Sequence, residues 1–274
     1  MFTHFWARSP LLTQAGLGLL VIGLLLIPVA FLDSRVITGQ SAWIKPIKFA
    51  FSGGIFLLTV AWLLGDFTLP VRYRRLLEWS FLLVMWVEVV LIAIQASRGI
   101  PSHYNITTPL NAAIFGTMGA AIFFNTFLVA LVAVAYLVPL WGGGSLPVAY
   151  RWAVAGALLL VIFSGWVGTQ MVAHRGHTIG APDDGPGLPL LGWSTTGGDL
   201  RWAHFLGLHG LQLVLLSWHL LRALPTARVG VTVGLLVVVS GLTVASYVQA
   251  LQGKPVVAQK RSIHSTHSRL NSAP

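Results

Sequence analysis

The sequence contains no cysteine in 274 residues. That removes disulfide scaffolds, thiolate zinc sites, iron–sulfur ligation and cysteine nucleophiles in one step. Charge is nearly as scarce. Asp, Glu, Lys and Arg make up 9% of the chain, against about 25% in a soluble domain. With 55% hydrophobic residues there is too little polar surface for water, so lipid is the expected solvent. Acids are the rarest charge, 7 against 17 Lys and Arg, which leaves a net charge of +10. The basic residues fall between apolar segments, not on a soluble face. That argues against nucleic acid and for anionic headgroups. Signature motifs for metal or haem are missing as well: there is no HExxH, no EF-hand loop and no CxxCH.

What the chain does have is a series of apolar runs near the 20 residues or so that a spanning helix needs. They cover Leu11 to Leu32, Trp43 to Leu64, Tyr73 to Ala96, Pro109 to Val138, Tyr150 to Ala173, Arg201 or Trp202 to Leu224, and Val229 to Leu251. The first is too long for a signal-peptide core and lacks a cleavage pattern, so it is expected to stay. Thr108-Pro109 and Asp199 read as helix N-terminal signals. The expected fold is therefore all-α: a polytopic membrane protein, a bundle of seven transmembrane helices with a long ordered loop between helices five and six. Residues 1–252 form that domain, and 253–274 form a basic tail expected to be flexible. Retinal proteins hold their chromophore on a lysine of the last helix, and Val229 to Leu251 has none.

An odd helix count puts the termini on opposite sides. The N-terminal side, here side A, receives Arg8, Arg72, Arg74, Arg75, Arg151, Arg222 and Arg228. Side B receives Arg35, Lys45, Lys48, Arg98, Arg175, Arg201 and the tail cations. The positive-inside rule divides between them. The expectation is a bacterial cytoplasmic membrane with the N-terminus cytoplasmic. Loops on side A are short and plain. Side B has SRGIPSHYNITT from Ser97 and the Gly/Pro/Asp-rich stretch from Arg175 to Leu200, lengths typical of binding segments. Asn105-Ile106-Thr107 within the first also matches a glycosylation acceptor.

Polar residues inside spans are costly, so their placement carries the functional argument. Glu88, roughly 12 Å below side B, is expected to be a proton carrier or catalytic carboxylate. The alternative is a structural ion pair with Lys48. Gln95 shares its helix face, seven residues on. Asn111 opens the fourth helix, Gln170 closes the fifth, and with Lys48 and Gln95 they are candidate substrate contacts. His204, His209, Gln212 and His219 follow one sector of helix six, with His204 and His219 expected at the interfaces. The other half of the bundle offers mainly Ser164, Asn125 and His219.

Histidines suggest two kinds of cofactor site. His174, His177, His204 and His209, with Asp183 or Asp184, are candidate ligands for a transition ion such as iron or zinc. His209 opposite His174 or His103 can instead ligate a haem b, with Arg98, Arg175 or Arg201 beside its propionates. Two functions of different class follow. The first is a membrane oxidoreductase or electron carrier, working with a redox partner or further membrane subunits. The second is a proton-coupled transporter, or a receptor-like binder, for a small anionic or lipid-like solute.

Overall fold

The computed structural model describes residues 6–138 and 142–257. Most of the basic tail, from 258 onward, lies outside the described residues. The fold is all-α, and six helices are long and apolar enough to cross a membrane: α1 (Pro10–Leu32), α2 (Ile44–Leu64), α3 (Val71–Ser97), α4 (Pro109–Leu137), α5 (Val148–Ala173) and α7 (Pro225–Leu251). They mark an integral membrane protein. Between α5 and α7 lies α6 (Leu200–Leu220), equally regular but more polar along one face.

The helix starts follow local chemistry. Ser9 accepts from the Leu12 amide ahead of Pro10, and Thr108 accepts from Asn111 ahead of Pro109. Asp199 accepts from the Arg201 amide at the head of α6. Each side-chain oxygen satisfies one of the orphan donors of a first turn, and proline at the first helical position costs no hydrogen bond.

Consecutive helices pack as neighbours, and α5 also touches α7. The helices α2 to α6 thereby surround the centre, with α1 laid on α2 and α7 laid on α5 and α6. The α6–α7 contact is antiparallel along its length. Arg228 at the start of α7 stacks over Trp218 at 4.2 Å, and Ser217 Oγ donates to Thr232 at 3.0 Å. A side chain on Gly210 would meet Val239, and near the other end Gly198 abuts Ala250. At Gly207 any Cβ would lie 1.8 Å from Ser164 Oγ, so the α6 backbone packs directly on the Ser164 side chain of α5 there.

Two short antiparallel pairings were not foreseen from the sequence. β1 (Val36–Ile37) pairs with β2 (Gln40–Ser41), and β3 (Thr178–Ile179) pairs with β4 (Gly198–Asp199). Both lie on side B, where they fold the 33–43 and 174–199 connections into a cap. Gln40 donates to the Leu190 carbonyl and Lys48 Nζ to the Leu191 carbonyl at 3.0 Å, which locks the two connections together.

A candidate binding cavity beneath the side-B cap

The five central helices enclose a cavity of about 150 Å³. Its wall is mostly apolar and aromatic, with Phe49 and Phe56 from α2, Met85 and Val89 from α3, Val129 from α4, Val161 from α5 and Leu208 from α6. Into it project Ser52, Glu88, Asn125, Thr126, His204, His209 and Gln212.

Glu88 is 3% exposed, yet its Oε2 has no hydrogen-bond partner. Its Oε1 lies 3.8 Å from His103 Nε2, beyond hydrogen-bond reach. Asn125 Oδ1 is likewise buried without a partner. A buried acceptor left unpaired costs about 1–3 kcal/mol, so two facing one cavity call for a ligand to complete them. Three other lining side chains are engaged by neighbours. Thr126 donates to the Ile122 carbonyl, and the Gln212 amide is held 3.2 Å from Thr59 Oγ1. His204 Nδ1 sits 2.7 Å from the Ser164 carbonyl, which can only accept. The ring proton therefore resides on Nδ1, and Nε2 carries a free lone pair.

The chain matches no family profile, no curated protein and no solved structure.

The cavity unites Glu88, His204 and His209 from the sequence-derived candidates, and adds Asn125, which the sequence assigned to the opposite half. The remaining candidates have other duties. Lys48 does not pair with Glu88; it holds the Leu191 carbonyl, and the cation whose field reaches Glu88 is Lys45. Gln95, Arg98 and Asn111 form one knot. Arg98 donates to Gln95 Oε1 at 2.6 Å and to Asn111 Oδ1 at 2.9 Å, and Gln95 Nε2 also donates to Asn111 Oδ1. That knot ties the end of α3 to the start of α4. Arg201 braces Asp199 and the Gly192 carbonyl. Asn105 is buried, with its amide donating to the Pro101 carbonyl, so it does not present itself for glycosylation.

His174 caps α5 and is exposed, and Gln170 lies on that helix's last turn without a side-chain bond to the cavity groups. His177 is tied to Asp183 at 2.8 Å. Among the described residues no three His, Asp or Glu side chains converge as metal ligands. His103 packs edge-on between Phe49 and Phe115, and the cavity is smaller than the ~300–1,000 Å³ of pockets for drug-sized ligands.

The 98–108 connection closes the cavity from side B. His103 sits over Glu88, and Tyr104 packs against Phe115 at 5.7 Å and against His177 at 5.4 Å. Tyr104 adopts φ +59°, a left-handed conformation uncommon for an aromatic residue. Such strain persists only where surroundings over-determine it, and it recurs beside functional sites. Burial pushes the His103 imidazole well below its usual value, with the Lys45 charge adding to the effect. Burial also lowers His177, although Asp183 partly opposes this. Burial acts to raise Asp183, but its bonds from the His177 ring and from the His177 and Thr178 amides win and hold the carboxyl below the ordinary range.

Side A is not the plain surface read from the sequence. The Asp66 side chain, 5% exposed, pairs with Arg8 at 2.7 Å and accepts from the hydroxyls of Tyr136 at 2.7 Å and Tyr150 at 2.8 Å. His219, in the last turn of α6, packs against Trp62 with ring centres 4.4 Å apart. Glu78 is a second buried acid of α3, near this side. Both oxygens of the Asp66 carboxyl thus have partners, as in a structural network.

Proposed function

We propose that the protein is a proton-coupled transporter, or binder, of a small solute, with Glu88 as the group that exchanges the proton and contacts the solute. One observation carries this reading: a buried carboxylate oxygen without a partner lies at a mainly apolar cavity among five helices. An ionisable group inside a span is costly and is retained where it serves a pathway or site. Asp66 is the internal contrast, an acid in the same bundle whose two carboxyl oxygens both have partners.

We further propose that α6 also crosses the bilayer, making seven spans. Supporting this, α5 ends on side B and α7 begins on side A, so the chain between them must return across the bundle. An N-terminus in the cytoplasm agrees with exposed Arg72, Arg75 and Arg222 on side A, while Arg35, Lys48 and Arg201 on side B are engaged by the cap.

The test is proton movement. Purified protein in proteoliposomes containing a pH-sensitive dye is challenged with a panel of small amines, alcohols and carboxylates. At least one should drive a proton flux that Glu88→Gln abolishes. A flux unchanged by Glu88→Gln, or no flux with any member of the panel, contradicts the proposal.

A further inference from the structure

Resting on that reading, we propose that the cavity selects a small protonated amine with an apolar body. Charge and hydrogen-bonding character both point this way. Two buried acceptors in the lining have no partner, Glu88 Oε2 and Asn125 Oδ1. His204 Nε2 adds a third acceptor, because Nδ1 is committed to the Ser164 carbonyl. No Lys or Arg is among the cavity's lining residues. The nearest cations are diverted: Lys48 to the Leu191 carbonyl, Arg98 to Gln95 and Asn111, and Arg201 to Asp199. Lys45 acts on Glu88 only through its field, with no ion pair formed, and its ammonium lies 5.9 Å from the Phe49 ring centre. A carboxylate or phosphate would meet the Glu88 carboxyl with no Lys or Arg in the lining to offset it, whereas an ammonium would complete Glu88.

The rest of the wall suits such a ligand. Phe49, Phe56 and Met85 supply aromatic and thioether surface that attracts both apolar groups and cations. A volume near 150 Å³ is that of an engineered cavity that accommodates benzene, so a body of about six carbon atoms fits.

The experiment is calorimetric titration of the detergent-purified protein at pH 8, where His103, His204 and His209 are neutral. Three probes of one shape are compared: benzylammonium, benzyl alcohol and benzoate. Benzylammonium should bind at least tenfold more tightly than benzyl alcohol, and benzoate should not bind. Glu88→Gln should weaken benzylammonium by about tenfold to a hundredfold, the worth of a hydrogen bond to a charged group, and leave benzyl alcohol within twofold. Asn125→Leu, which fills the cavity without touching Glu88, should weaken both. Benzoate binding as tightly as benzylammonium, or benzylammonium affinity indifferent to Glu88→Gln, overturns the inference. If benzoate or an alcohol drives a Glu88-dependent proton flux while benzylammonium stays unbound, the ligand class is wrong but the transport reading survives. If no probe binds and no flux appears, both fall.

Discussion

Replacing Glu88 by glutamine should make the protein more stable. In the native bundle the carboxylate is 3% exposed, one oxygen has no partner, and the other stands 3.8 Å from a histidine nitrogen. An unsatisfied buried acceptor costs about 1–3 kcal/mol, and more when it is charged. The field of Lys45 returns part of that. Glutamine keeps the shape, removes the charge, and lets its amide donate toward His204 Nε2 or Asn125 Oδ1. A net gain of about 1–2 kcal/mol follows. At about 2–4 °C per kcal/mol for a chain of this size, the melting temperature should rise by about 2–8 °C. Tryptophan fluorescence during heating in detergent reads this directly, since the chain has 11 Trp. Asp66→Ala is the control of opposite sign. It strands Arg8 and two tyrosine hydroxyls, so it should cost about 3–5 kcal/mol, the penalty for breaking a buried ion pair. If Glu88→Gln melts as low as Asp66→Ala, Glu88 is a structural residue and the argument from its missing partner is refuted.

Other outcomes follow from the same geometry. His103 and His177 are both lowered by burial, so they stay neutral in the folded cap, while in an opened chain they titrate near 6.5. The open form then binds more protons, and cap stability is lost as pH falls below about 6.5, by up to about 1.4 kcal/mol per pH unit for each histidine. Protection of the 174–199 amides, exchange taken relative to the intrinsic rate at each pH, should fall between pH 7 and 5, and constant protection would contradict this. Lys48→Met should increase protease cleavage near Leu191 while changing benzylammonium affinity less than threefold; a larger change would place Lys48 in the site after all. Gly207→Val forces a side chain into Ser164 and should cost about 1–3 kcal/mol in thermal stability, and an unchanged melt would show that α6 does not pack directly on Ser164. Purified protein should show no Soret band and no stoichiometric metal by elemental analysis; either signal would restore the histidines as ligands.

The helices were legible in the sequence because bilayer thickness fixes their length, and caps such as Thr108 and Asp199 mark their starts. Glu88 and His209 were legible for a related reason: polar atoms stand out against hydrocarbon. Partnership was not legible. Depth along a helix matched Lys48 to Glu88, but Lys48 turns up into the cap, because the 188–192 turn offers it the Leu191 carbonyl. Asn125 was assigned to the wrong half by counting from one end of a 29-residue helix that is longer than the hydrocarbon core. The Asp66 cluster joins residues far apart in the chain, Arg8, Tyr136 and Tyr150, and no local spacing announces it. The two-residue strands carry no periodic signal at all.

The central claim is that the space around Glu88 admits a small cation. The natural absence of cysteine allows a clean test, in which a single cysteine is placed at Ser52 or Asn125 and labelled in detergent with either 2-aminoethyl or 2-sulfonatoethyl methanethiosulfonate. Both positions line the cavity, while Leu57, fully buried in the same bundle, serves as the closed reference. Ser52→Cys and Asn125→Cys should react faster with the ammonium reagent than with the sulfonate, and Glu88→Gln should erase that preference. Reaction no faster than at Leu57→Cys, or a preference for the sulfonate, would contradict the account.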